Sequence, residues 1–278
     1  MRIDSHQHFW IFDPIRDSWI DESMAVIQRN FLPDDLTPLL KENSFDGCVA
    51  VQADQTEKQN EFLLDLASKE SFIKGIVGWV DLQHPNIEEK LSIYLKETLM
   101  KGFRHVLQGE AQRDFMLKPD FLKGIGLLEK YGFTYDILIL PDQLKFSEKL
   151  IEKFPNQKFV VDHIAKPTIK NQKIGDWKKD LLSIAQHENV YCKVSGMVTE
   201  ADWSNWKQND FIPYLDVVFE AFGTHRLMFG SDWPVCNVAG GYQKSLAIVK
   251  EYTKQLSIQE QDQFFGEVAT SFYNLKSS

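Results

Sequence analysis

The residues with the strongest chemical potential in this chain are His6, His8, His163 and Asp232. His6 and His8 stand two apart in Asp4-Ser5-His6-Gln7-His8. On a strand, residues i and i+2 share a face and are separated by ~6.6 Å of rise. Two inward imidazoles at that spacing can grip one metal ion or one substrate. The spacing alone is common, and the plainer reading has one ring capping a core and the other facing solvent. His163, in Val160-Val161-Asp162-His163, reads alone as a satisfied core residue. Asp232, in Phe229-Gly230-Ser231-Asp232-Trp233-Pro234, reads alone as a turn former or helix cap. As a set, three histidines and a carboxylate can ligate Zn²⁺, or serve as acid, base and electrophile around a carbonyl. Arg104 brings a fixed charge suited to a developing oxyanion, or else to a salt bridge with a neighbouring strand. His105 alternates with it, and Arg104 is the one expected to face inward. Lys193 is a second candidate cation for substrate. Asp136 could hold a histidine in its tautomer. Trp10, Trp79 and Trp233 offer flat walls that suit a sugar or another polar ring.

These residues act together only if the fold brings them to one end. Eight short apolar runs, at 2–8, 47–53, 74–82, 102–107, 133–140, 158–163, 189–195 and 226–231, read as strands. Between and after them lie helical patterns at 34–43, 59–69, 87–100, 119–131, 143–154, 176–187, 211–222 and 242–255. Apolar period 3.6 alternating with β-branched runs predicts parallel βαβ units, and eight of them predict a (β/α)₈ TIM-type barrel. No linker or composition break divides residues 1–278, so a single domain is expected. A doubly wound sheet usually opens with a glycine-rich loop after its first strand, where this chain has His-Gln-His. In a barrel, function sits at the C-terminal ends of the strands, which is where the histidines, Arg104 and Asp232 fall. The first βα connection, about 9–34, exceeds the usual ~2–6 residues. Its aromatics Phe9, Trp10, Phe12, Trp19 and Phe31 are expected to cover the barrel mouth.

The chain has 278 residues, 43% hydrophobic and 26% charged, which excludes a disordered or collagen-like chain. No stretch approaches the ~20 apolar residues of a membrane helix. The opening Met1-Arg2-Ile3-Asp4 has no apolar signal core, so a cytoplasmic address is expected. The three cysteines include no CxxC pair, as expected in a reducing compartment. A net charge of -9 argues against nucleic acid, and no basic amphipathic helix points to a membrane surface. GxGxxG, P-loop, GxSxG and HExxH motifs are absent. The expected partner is a small molecule, and no dedicated dimer element is legible.

Asp4-Ser5-His6-Gln7-His8-Phe9-Trp10, Asp162-His163-Ile164-Ala165-Lys166-Pro167 and Gly230-Ser231-Asp232-Trp233-Pro234 occur in that order, with Gly102-Phe103-Arg104 as a fourth marker. In these motifs the chain resembles the amidohydrolase superfamily, in its amidohydrolase 2 branch. The match is to the lactonase-like group that includes fuconolactonases, rhamnonolactonases and pyrone-dicarboxylate lactonases. The resemblance implies a barrel that hydrolyses a cyclic ester, with roles for His6, His8, His163 and Asp232. Binuclear members of the superfamily carry a bridging carboxylated lysine and a further histidine on later strands. Here the seventh strand offers Lys193 and no histidine, so the expectation is one Zn²⁺ or other divalent cation, or no metal at all. If a metal is bound, its ligands are expected among His6, His8, His163 and Asp232. Asp232 is assigned as general base, with His163 and Arg104 beside it and Trp10, Arg104, Lys193, Trp79 and Trp233 contacting substrate. With only six arginines, a neutral aldonolactone such as L-fuconolactone is favoured over a dicarboxylate. The alternative is a metal-dependent non-oxidative decarboxylase of the same superfamily.

Overall fold

The computed structural model describes residues 1–276. Eight strands, β1 (Ile3–Gln7), β2 (Gly47–Val51), β3 (Ile73–Gly78), β4 (Met100–His105), β5 (Thr134–Ile137), β6 (Phe159–Val161), β7 (Val190–Val194) and β8 (Leu227–Phe229), pair in parallel in sequence order. The sheet closes on itself through a parallel bridge between Gln7 and Trp233. Across that seam, His8 N–H donates to the Trp233 carbonyl at 2.7 Å and Asp232 N–H donates to the His6 carbonyl at 2.8 Å. Closure therefore sets the first strand's histidines directly beside the aspartate after the last strand.

The strands are buried on both faces, as a barrel ringed by helices requires: every residue of Gly47-Cys48-Val49-Ala50-Val51 is buried. One cluster fills the barrel's lower interior with Ile3, Val49, Val51, Val77, Val160 and Met228. The larger cluster lies between strands and helices. The ring is α1 (Pro33–Glu42), α2 (Glu57–Lys69), α3 (Ile87–Tyr94), α4 (Pro119–Tyr131), α5 (Leu144–Lys153), α6 (Gly175–Ile184), α7 (Ile212–Phe222) and α8 (Gly241–Thr253). Helix α5 is typical: it buries Leu144, Ser147, Leu150 and Ile151, the spacing of one helical face. The helical pattern at 87–100 is cut short at Tyr94, and the chain turns before entering β4.

A C-terminal segment not legible in the sequence pattern closes the bottom of the barrel. It runs through α9 (Ile258–Asp262), a π-turn at Gln263–Glu267 and α10 (Val268–Phe272). Val268, Ala269, Phe272, Tyr273 and Leu275 complete the lower interior cluster. Gly266 packs so tightly on the first residues that a Cβ there would lie 1.9 Å from the Met1 carbonyl oxygen.

At the opposite end, the first connection folds back as a local cover. Trp10 and Phe31 form an antiparallel bridge, and the Trp10 indole N–H donates to the Arg29 carbonyl at 2.8 Å. Trp233 is buried beneath, edge-on to Phe9 and Phe31.

Candidate active site

Strand β1 supplies two rings to one point. Its pairing with β2 shifts register between Asp4 and Gln7, so that Ile3 packs in the interior cluster and His6, three residues on, also meets residues of the barrel interior. His8 Nδ1 donates to the Val51 carbonyl at 2.8 Å, which turns Nε2 toward the site. That Nε2 lies 3.2 Å from His6 Nε2 and 3.5 Å from Asp232 Oδ1. His6 Nε2 is 3.9 Å from the same Asp232 oxygen.

His163 reaches the site by a different route. β6 ends at Val161, and His163, Ile164, Ala165 and Lys166 all take left-handed backbone angles, with φ of 54°, 49°, 59° and 50°. Strand alternation would send Asp162 and His163 to opposite faces. The left-handed turn instead brings both to the barrel mouth. His163 Nδ1 is 2.9 Å from Ser195 Oγ, and its Nε2 is 3.9 Å from Asp232 Oδ1. Gly196 makes this approach possible. Its φ is +60°, and a Cβ there would lie 2.6 Å from His163 Nδ1 and 3.1 Å from Asp232 Oδ2.

Arg104 is pinned from two sides. One terminal nitrogen donates to Asp162 Oδ2 at 3.0 Å and approaches His6 Nε2 to 3.2 Å; the other donates to the Gln52 backbone carbonyl at 2.7 Å and to Gln52 Oε1 at 2.9 Å. His105 faces away, stacked on Phe115 and bonded to Glu110.

Below the rings lies a buried charge column. Lys193 Nζ bonds Asp136 Oδ2 at 2.5 Å and stands 3.1 Å from both Asp162 Oδ1 and His6 Nδ1. Tyr273 OH donates toward the Asp136 carboxylate at 2.9 to 3.0 Å.

Burial holds His6 and His163 well below the ordinary histidine range, so both rings are neutral near pH 7. Burial pushes the Asp232 carboxyl up, but His163, His8 and Lys166 outweigh it and keep the group below the usual carboxylate range. Asp162 sits well below that range, because Lys193, His6 and Arg104 overcome its burial. Asp136 is the contrast: burial outweighs the pull of Lys193 and pushes it up to about 6.

A cavity of about 430 Å³ opens above these groups. His8, Arg104, His163 and Asp232 form its reactive wall, and Trp10, Trp19, Val106 and Leu138 its apolar wall. Several expected contacts lie elsewhere. Lys193 is fully buried beneath His6 and is outside the lining, so its ammonium holds acids rather than substrate. Trp233 is part of the packing under the first connection. Trp79 lies off the cavity, its backbone tied to the Asn60 side chain. Asp136 holds Lys193 and Tyr273 and touches no histidine; the carboxylate beside a histidine ring is Asp162. Sequence reasoning also passed over Asp162, over Gln52 and the Arg16–Asp17 pair in the wall, and over Ser195 behind His163. The one available signal was the Asp162-His163 dipeptide.

Two donor sets are close enough to hold an ion: His6, His8 and Asp232, and His6, Asp162 and His163. In the first, the separations are 3.2, 3.5 and 3.9 Å. Donors ~2.0–2.2 Å from a tetrahedral zinc stand about 3.3–3.6 Å apart, so this set fits with shifts of a few tenths of an ångström. In the second, both Asp162 oxygens already face protein cations, Arg104 and Lys193. In the first set only His6 Nε2 meets a protein cation, Arg104, so that set is the more open to a metal.

Known proteins resemble the chain throughout its length. The L-fucono-1,5-lactonase of Burkholderia multivorans is 36% identical over 286 residues, covering 99% of this chain and 96% of the relative. That of Burkholderia ambifaria is 34% identical over 244 residues, 87% of this chain and 83% of the relative. A crystal structure of an amidohydrolase from Burkholderia multivorans with bound zinc superposes with a TM-score of 0.96 at 36% identity, covering 99% of this chain and 100% of that one. The amidohydrolase family pattern itself matches residues 3–275, almost the whole barrel, and the chain belongs to the amidohydrolase family.

Proposed function

We propose that this protein is a lactonase that opens a neutral sugar lactone of the L-fucono-1,5-lactone kind by attack of water. The observation that carries the reading is an ionised Asp232 at the floor of a cavity whose cations are all paired. Arg104 is held by Asp162, Arg16 by Asp17 and Lys166 by Glu200. No lining cation is left to receive a substrate carboxylate, which favours a neutral polyhydroxylated ring over a dicarboxylate. The lactonase relatives, similar along nearly the full chain, support the same chemistry. The decarboxylase alternative has no observation of this kind behind it.

His6, His8 and Asp232 would hold one zinc. When bound, the metal supplies a Lewis acid that polarises a carbonyl and acidifies water. The chain's own groups act as follows. Asp232 accepts a proton from water as the water oxygen bonds the carbonyl carbon. Arg104, whose terminal nitrogens are held by Asp162 and Gln52, lends only its fixed charge to the negative charge that develops on the carbonyl oxygen, less than the ~3–4 kcal/mol of a directly bonded donor. His163, held by Ser195, borders the same point as a neutral ring. As the ring C–O bond breaks, the proton on Asp232 passes to the leaving alkoxide. The acid product ionises near neutral pH, so each turnover releases one proton.

Proton release measured on a panel of aldonolactones tests this. Turnover of neutral lactones, weak or absent turnover of carboxylated ones, and loss of kcat by about 10²–10⁴-fold in Asp232→Asn are expected. The amide suits the positive φ of 56° at this position, so the variant should fold. A folded Asp232→Asn protein with near-parental kcat would remove Asp232 as the base. No helix among the described residues is long and apolar enough to cross a membrane. With three buried free cysteines, we place the enzyme in the cytoplasm, acting on a small molecule and not on nucleic acid.

A further inference from the structure

The cavity wall does not include His6, yet this ring touches more charged groups than any other at the site. It is fully buried. On one edge, Nε2 faces the open donor set. On the other, Nδ1 lies 3.3 Å from Asp162 Oδ1 and 3.1 Å from Lys193 Nζ. A neutral imidazole carries one proton, so only one of its nitrogens is free to ligate or accept. Which one is presented to the cavity depends on what sits behind the ring.

We propose that Asp162 is a positioning residue that accepts the Nδ1 proton of His6 and thereby presents a bare Nε2 to a metal held with His8 and Asp232. The proposal rests on the metal reading above and concerns only this chain's residues toward that ion. Four observations support it. First, Asp162 is ionised and can only accept; Arg104 and Lys193 keep it so, standing 3.0 and 3.1 Å from its two oxygens. Second, the Arg104 nitrogen 3.2 Å from His6 Nε2 can only donate, which calls for a bare Nε2, whereas Lys193 Nζ, 3.1 Å from Nδ1, has Asp136 and Asp162 to accept its protons and makes no such demand on Nδ1. Third, no hydrogen bond to another group occupies Asp162 Oδ1, and His6 Nδ1 stands 3.3 Å from it, so a small turn of the ring completes the bond. Fourth, the Lys193 ammonium is itself anchored by Asp136, and Asp136 by Tyr273. The carboxylate behind His6 is thus held from below by three buried side chains and cannot turn away. A carboxylate accepting from the far nitrogen of a metal-ligating histidine fixes the ring and raises its basicity, and losing it typically costs about 10–100-fold in metal affinity.

The test is zinc affinity by competition with a chromophoric chelator, for the parent and for Asp162→Asn. It is joined by ¹⁵N NMR of the histidine rings in the zinc-loaded parent. The expected result is an Nδ1–H tautomer for His6 and a loss of zinc affinity of about 10–100-fold in the variant. An Nε2–H tautomer in the loaded parent overturns the proposal, as does unchanged affinity in Asp162→Asn. The ring spectrum needs no variant, so a misfolded Asp162→Asn leaves the proposal testable. A parent that binds no zinc overturns the metal reading and this inference together. Unchanged affinity in the variant overturns the inference alone.

Discussion

At the scale of single residues, burial decides the charge of the site's two deepest histidines. His6 and His163 are held neutral by burial although acids surround them. A histidine whose folded pKa is lowered leaves the unfolded chain holding the extra proton below about pH 6.5. Stability is therefore lost as pH falls through that range, at up to about 1.4 kcal/mol per pH unit for each ring. Asp4 and Asp136, both pushed up to about 6, act in the opposite direction: the folded state takes up their protons first and gains stability as pH falls from about 6 toward 3.8. The difference between parent and variant separates the two effects. His163→Asn, with a side chain that tolerates the left-handed backbone, should be less stable than the parent at pH 7 in chelated protein. That gap should narrow steadily toward pH 5. Urea unfolding at several pH values measures it, and a constant gap would show that His163 is not held neutral by the fold.

At the scale of elements, the left-handed turn after β6 and the glycine facing it form one device. Gly196→Ala would place a methyl 2.6 Å from His163 Nδ1, on a backbone conformation that costs an alanine ~1–2 kcal/mol. Displacing the ring should lower kcat/KM on the order of 10²-fold, with a modest fall in melting temperature. Steady-state kinetics and a melt measure both, and parental kcat/KM would show that the turn does not position His163. This device also marks how far the sequence could be read. All eight strands and the helix after each overlap the apolar runs and periodic stretches, with ends that differ by up to two residues for most and by more where the third helix stops early, because a barrel repeats one local pattern. The motif residues His6, His8, Arg104, His163 and Asp232 converge because each follows or ends a strand. Asp162 was not legible as a site residue, since alternation along β6 points it away from His163 and only the left-handed turn reverses that. Lys193 and Asp136 were legible as strand residues with a role at the site. Their depth was not, because period-2 alternation gives the face and not the layer. Trp79 and Trp233 were misplaced for a related reason: an aromatic at a strand end can pack sideways under a loop.

At the scale of the whole molecule, the N-terminal strand that carries two of the candidate ligands rests on the C-terminal segment. Gly266 lies against the Met1 carbonyl, and Tyr273 reaches through the barrel floor to Asp136. Gly266→Ala forces this contact apart. Overpacking of this kind costs ~1–3 kcal/mol, or about 2–4 °C of melting temperature per kcal/mol in a chain of roughly this size. A melt unchanged from the parent would show that the π-turn yields without strain.

The pairing of every cation in the cavity wall bears on the end of the reaction as well as on its beginning. A neutral ring enters without electrostatic steering, so its encounter rate should be indifferent to ionic strength. Ring opening turns that ligand into an anion, in a pocket whose positive charges are already committed and whose floor holds Asp232. The molecule around it carries a net charge of -9. Hydrolysis thus converts a ligand that the cavity tolerates into one that it repels, and the chemical step itself drives product departure.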